Sequence, residues 1–257
     1  MPHVAAEDGV RIYYEVAGEG RPVLLMAGAF QTLEDWHDSG VFDELARDRR
    51  VIAMDLRGHG RSDAPHDAAV YGWPKNARDA AAVLAGVDAQ DADVYGFSMG
   101  GNIAMAMLHG DLSRIRSIAG SGVLLPPPDF PVPAPPLVER AEALRRGGVA
   151  EALGAESMTD DRPPEWSLQR SLAGDAQAFA AEAEAQAQLE DQTLPPAGPP
   201  TLFISAERDA MSVALSNDLP TAYPYVRYVQ IANANHFIGI MPDILPTLRA
   251  FWRSLGA

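Results

Sequence analysis

Ser98 lies in Gly96-Phe97-Ser98-Met99-Gly100, a hydroxyl with a glycine two residues before it and another two after. The apolar run Asp93–Phe97 leads into it, and the helix-like pattern Asn102–Leu108 leads away. That is the strand, turn and helix context in which a G-x-S-x-G serine is held out on strained backbone, its glycines letting strand and helix approach. A serine hydroxyl is a weak nucleophile at its free pKa, so Ser98 needs a base, and the base needs an orienting carboxylate. Of the six histidines, His3, His37, His59, His66, His109 and His236, only His236 follows a late apolar run, Tyr225–Ile231. Asp209 follows the run Thr201–Ser205, with Glu207 a rival two residues earlier; Asp55 ends an earlier run and is expected to pair with Arg57.

An attacked carbonyl becomes an oxyanion, which backbone N–H groups must meet. Met99 N–H, at the start of the helix, is one candidate, and Ala29, in the loop after Pro22–Met26, is the other. Phe30, Trp36, Val123, Trp166, Met211 and Phe237 are candidates for the substrate pocket, with packing in the core as their alternative.

The elements that must carry these residues repeat. Pro22–Met26, Arg50–Asp55, Asp93–Phe97, Ile115–Ala119, Thr201–Ser205 and Tyr225–Ile231 are apolar runs of strand length, and Val10–Val16 alternates beside an Asp-Gly turn signal, so an antiparallel hairpin opens the chain. Helical patterns at Asp43–Arg47, Trp73–Val87 and about Pro242–Leu255 alternate with them, which predicts an α/β fold with a mostly parallel central sheet and helices on both faces. In open sheets of this type reactive groups gather beyond the carboxyl ends of strands, where Ser98, Asp209 and His236 all fall. A proline-rich stretch after Leu125 opens a different region, with helical patterns at Val138–Arg146, Trp166–Leu172 and Asp175–Leu189, closed by prolines before Pro200. We therefore expect a core of residues 1–125 and 199–257 and an inserted helical cap at 126–198. Because Asp175–Leu189 has few bulky apolar residues, only part of the cap is expected to face a deep apolar pocket.

The 257 residues suffice for one large domain with an insertion. Twenty Lys and Arg against 35 Asp and Glu give a formal charge of −15, which argues against nucleic acid or an anionic membrane as partner. No cysteine is present, so disulfides, thiolate catalysis and cysteine metal sites are excluded. The first residues lack the pattern of a signal peptide, and there is no uninterrupted apolar run of about 18 residues, so the expectation is a soluble cytoplasmic protein.

These features resemble the α/β-hydrolase fold family, in its subgroup of small esterases, lactonases, C–C hydrolases and cofactor-free haloperoxidases with a helical cap. The resemblance spans essentially the whole chain and rests on Gly96–Gly100, on Asp55-Leu56-Arg57-Gly58-His59-Gly60-Arg61-Ser62 as the family's D-x-R-G-x-G-x-S loop, on Glu207–Asp209 and on Asn235–Phe237. It implies a triad of Ser98, Asp209 and His236, with Ala29 and Met99 forming the oxyanion hole. Relatives usually have His-Gly where this chain has Ala27-Gly28, so that histidine's support of the loop is missing. The expected function is a serine hydrolase acting on a small-molecule ester or lactone through an acyl-enzyme, without cofactor or metal, as a monomer or weak homodimer. The alternatives are a C–C bond hydrolase, a haloperoxidase-type perhydrolase, and a ligand-binding homologue that does not turn over.

Overall fold

The structure, a computed structural model, describes residues 2–123, 134–156, 162–188, 193–209 and 219–256. Its centre is one eight-stranded sheet: β1 (His3–Ala5), β2 (Arg11–Ala17), β3 (Pro22–Met26), β4 (Arg50–Met54), β5 (Ala92–Phe97), β6 (Ile115–Ser121), β7 (Thr201–Ala206) and β8 (Val226–Ile231), in the order β1-β2-β4-β3-β5-β6-β7-β8. The first two strands form the expected antiparallel hairpin, and β2 runs antiparallel to its other neighbour, β4; β4, β3, β5, β6, β7 and β8 are parallel. Chain order reverses between β3 and β5, which pair directly. The connections leaving these two strands run to opposite sides and open a crevice at their carboxyl ends. The loop after β3 and the turn after β5 therefore meet there.

Strands buried on both faces read as continuous apolar runs, and β5 and β7 are buried along their whole length. Alternate side chains feed two cores. Leu24 and Met26 pack with α3 (Trp73–Gly86) and α4 (Met99–Ala106) on one face. Val23 and Leu25 pack on the other with α1 (Glu34–Asp38), α2 (Val41–Ala46) and the C-terminal helix Leu245–Ser254.

Between β6 and β7 the chain forms α5 (Ala134–Glu156), broken at Gly148 (φ 70°), then α6 (Glu165–Leu172) and α7 (Ala176–Ala187). The Asp175 carboxylate caps α7, accepting from the amides of Gln177 and Ala178 at 3.0 and 3.1 Å. Phe30, from the loop after β3, inserts into the small apolar cluster that α5 and α7 build from Leu144, Val149, Phe179 and several alanines. The insertion is thus attached to the sheet at the crevice. Arg170 of α6 adds a salt bridge at 2.9 Å to Asp35 of α1, whose side chain is wholly buried.

Candidate active site

Ser98 sits at φ 52°, ψ −117°, backbone angles that a side-chain-bearing residue adopts only under constraint. The constraint is visible on both sides. Ser98 N–H donates to Ser121 O at 2.7 Å and Gly100 N–H to Ala27 O at 3.0 Å, so the turn is fastened to the ends of β6 and β3. A Cβ on Gly96 would overlap the Gly100 carbonyl, and one on Gly100 would overlap the carbonyls of Met26 and Ala27. Glycine is needed at both places because backbone passes within contact of backbone.

His236 begins a short 3₁₀ turn, His236–Ile240, after β8. Its Nδ1 lies 2.7 Å from Asp209 Oδ2. With the proton on Nδ1, the ring donates to the carboxylate and keeps a lone pair on Nε2. The ring packs against Phe97, centroids 5.0 Å apart, and directly over Gly122, where a Cβ would come within 2.6 Å of Cε1. Phe97 precedes Ser98 and Gly122 follows its hydrogen-bond partner Ser121, so imidazole and serine share one corner of the sheet. The Tyr95 hydroxyl fixes that corner by donating to Gly239 O at 2.5 Å while lying 2.7 Å from Ser121 Oγ. Glu207, the rival acid, does not face the ring; its carboxylate accepts from Asn233 N–H at 2.6 Å.

The loop after β3 closes on the serine, since a Cβ at Gly28 would stand 3.1 Å from Ser98 Cβ. Gly28 N–H donates to Gln31 Oε1 at 2.9 Å, and Phe30 N–H donates to His59 Nε2 at 3.2 Å. Neither the Ala29 nor the Met99 amide has an acceptor among the described residues. Two free donors therefore flank Ser98, one at the start of α4 and one on the loop. His59 is itself held, its Nδ1 3.1 Å from Arg57 O, and burial lowers its pKa to about 4, so it stays a neutral acceptor.

The loop Asp55–Ser62 differs from expectation in its pairing. Arg57 does not pair with Asp55. It reaches Asp79 at 2.6 Å and Asp8 at 2.8 Å, while Asp55 accepts the amides of Leu33 and Arg61 at 2.7 and 2.8 Å. The Asp55 carboxyl is raised to about 6 by burial, which those two donors only partly offset.

Among the pocket candidates, Phe30 joins the cluster of the helical insertion, and Phe237 is half-buried with its ring 6.0 Å from Phe97. Trp166 of α6 packs beside the same core as Phe237. Trp36 is wholly buried against Tyr95, centroids 5.8 Å apart, and Val123 fills the space above Gly101 and Gly120; both occupy core positions. Met211 lies outside the described residues.

Nothing in the sequence marks Gln31, Ser167, Glu182 or Gln186 as part of the site. Gln186 of α7 donates to Met99 Sδ at 3.1 Å, and Glu182, one helical turn earlier, is buried with Oε2 3.8 Å from His59 Nε2. Burial raises the Glu182 carboxyl to about 8. Polar residues in an alanine-rich helix give no sign in the sequence of facing inward. Among the described residues no three His, Asp or Glu side chains gather as metal ligands, and no helix is long and apolar enough to cross a membrane.

The comparisons with known proteins agree on the fold. The family model described as the alpha/beta hydrolase family matches residues 23–245. A non-heme haloperoxidase of Rhodococcus erythropolis is 38% identical over 125 residues, 48% of this chain and 40% of that protein. The chain spans less than half the length of the curated relatives it matches. Among solved structures, a thermophilic esterase from Thermogutta terrifontis superposes with a TM-score of 0.80 at 24% identity, covering 100% of this chain and 99% of that one. An enol-lactonase from Burkholderia xenovorans LB400 gives a TM-score of 0.77 at 22% identity, over 98% of this chain and 100% of that one.

Proposed function

We infer the reaction from two premises: the chain belongs to the α/β hydrolase family, and its elbow serine has an imidazole and two free amides for neighbours. On this reading it is a serine hydrolase that cleaves a small-molecule carboxylic ester or lactone. The observation that carries the reading is the His236 ring, bonded to Asp209 at 2.7 Å and packed against Phe97 and Gly122 on either side of the serine turn.

In the proposed cycle, His236 Nε2 takes the proton as Ser98 Oγ attacks the carbonyl carbon, and Asp209 stabilises the imidazolium. The negative charge on the former carbonyl oxygen is met by the N–H groups of Ala29 and Met99. When the carbon–oxygen bond to the leaving group breaks, His236 returns the proton to the departing alkoxide. A water, deprotonated by the same imidazole, attacks the acyl-enzyme; the acid leaves and Ser98 regains its proton. Residues 126–198 act as the cap over a core of 1–125 and 199–257, and Phe30, Trp166 and Phe237 are the wall candidates.

The test is turnover of p-nitrophenyl esters and of γ- and δ-lactones by the wild type, Ser98→Ala and His236→Ala. The reading expects wild-type turnover and a loss of at least ~10⁴-fold in each variant. No turnover in the wild type, or turnover indifferent to both substitutions, contradicts it. The haloperoxidase relative supports a second reading, in which hydrogen peroxide replaces water at deacylation, so that the acyl group leaves as a peracid. Bromination of a dye that requires both peroxide and acetate, and is lost in Ser98→Ala, would distinguish it.

A further inference from the structure

Three consecutive amides in the loop after β3 are treated differently. Gly28 N–H donates to the Gln31 carboxamide oxygen at 2.9 Å and Phe30 N–H to His59 Nε2 at 3.2 Å. Ala29 N–H, between them, has no acceptor among the described residues. Peptide groups are rigid planes, so pinning the plane on each side fixes where the middle N–H points.

Both pins are held in turn by the helical insertion. Gln31 Nε2 donates to Ser167 Oγ of α6 at 3.0 Å, and Ser167 is wholly buried. Phe179 of α7 lies against both the His59 ring, at 4.6 Å, and the Phe30 ring, at 5.2 Å. The Gln31 carboxamide bridges the two parts through both of its ends: its oxygen holds the loop and its nitrogen holds the insertion. Such a buried polar link is costly unless both ends are made, which gives it a defined geometry.

We propose that Gln31 is a positioning residue for the oxyanion hole, held by Ser167, so that the helical insertion sets the direction of the Ala29 amide. The proposal rests on the reading of Ser98 as nucleophile and Ala29 as oxyanion donor. A donor aimed at the tetrahedral oxygen acts in the transition state and little in the ground state, so loosening it lowers kcat and leaves KM nearly unchanged. It also lowers discrimination between a carbonyl and a thiocarbonyl substrate, because the larger, weaker acceptor sulfur gains less from the hole.

The experiment compares wild type, Gln31→Met and Ser167→Ala on p-nitrophenyl acetate and its thionoester, with fluorophosphonate labelling of Ser98 on the same samples. Methionine keeps the length of Gln31 and removes both hydrogen bonds; alanine at 167 removes only the second link. Loss of a whole oxyanion donor costs on the order of 10²–10³-fold. We expect Gln31→Met to lose roughly tenfold to a hundredfold in kcat on the oxygen ester, much less on the thionoester, and Ser167→Ala to change the ratio in the same direction by a smaller factor. Equal losses on both substrates in every folded variant, or no loss in either, overturn the proposal. If Gln31→Met does not fold, the Ser167→Ala ratio decides alone. A wild type that neither labels nor turns over refutes the serine-hydrolase reading itself, and the positioning role with it; a labelled wild type with unchanged ratios refutes only the positioning role.

Discussion

Gly122→Ala separates the position of the imidazole from the stability of the fold. Gly122 lies at φ 61°, and a Cβ there would stand 2.6 Å from His236 Cε1 and 3.0 Å from Nδ1. Non-bonded carbons settle at about 3.5–4.0 Å, so the ring must retreat by about 1 Å. A retreat of that size takes the 2.7 Å contact between Nδ1 and Asp209 beyond about 3.5 Å, outside hydrogen-bond range. Misplacing a reacting group by about 1 Å costs on the order of 10²-fold. The left-handed φ adds roughly 1–2 kcal/mol of strain, or about 2–8 °C in Tm for a chain of this size. Gly9→Ala is the matched control, since Gly9 has φ 85° and open space around its missing Cβ. The assay is kcat/KM on p-nitrophenyl acetate with Tm for both variants. Both should lose stability, and only Gly122→Ala should lose activity, by about a hundredfold. Activity in Gly122→Ala that falls no further than in the control would refute the placement of His236 as the base.

Arg57→Met leaves Asp79 buried without its partner, a loss of about 3–5 kcal/mol, read as a Tm fall of about 6–20 °C. The stranded carboxyl then has its pKa raised by burial, so the folded state binds its proton more tightly than the unfolded chain. The stability deficit of this variant relative to the wild type should therefore shrink as pH is lowered from 7.5 to 5; a deficit that is constant or grows toward acid would show that Asp79 is not stranded in this way. Glu182→Gln tests the inward face of α7. A carboxyl raised from an ordinary 4.5 to about 8 by burial destabilises the wild type progressively as pH rises from 4.5 toward 8. The Tm difference between Glu182→Gln and wild type should be near zero below pH 4.5 and increasingly in favour of glutamine up to about pH 8; a difference independent of pH would show that Glu182 is not buried as described.

The sheet was legible because its central strands are buried on both faces. Pro22–Met26 was read to the residue, and the boundaries of β4, β5, β6, β7 and β8 move by one or two positions. The strand-turn-helix pattern around Ser98 has the same origin, since backbone crowding demands glycine at 96 and 100. What the sequence concealed depends on contacts between distant residues. Asp55 is the carboxylate nearest to Arg57 in the sequence, whereas the partners of Arg57 are 22 and 49 residues away. The helix Glu34–Asp38 has four polar residues in five and shows no apolar period; its Trp36 is buried against Tyr95 of β5, and its Asp35 is paired with Arg170 of the inserted helix α6. The inward side of α7 was underread for a related reason. Alanines at 178, 180, 181 and 183 allow close packing without bulk, and they bring Glu182 and Gln186 inside with them. A histidine between two glycines in the Asp55–Ser62 loop was the one available signal for His59, and its role emerges only with Phe30 beside it.

Everything proposed for the site depends on Ser98 being an activated nucleophile. The most direct test is intact mass after treatment with a fluorophosphonate, beside Ser98→Ala treated in the same way. The wild type should carry one covalent adduct, mapped to the peptide that contains Ser98, and the variant none. Folded wild-type protein that stays unlabelled, or an adduct that persists in Ser98→Ala, would contradict it.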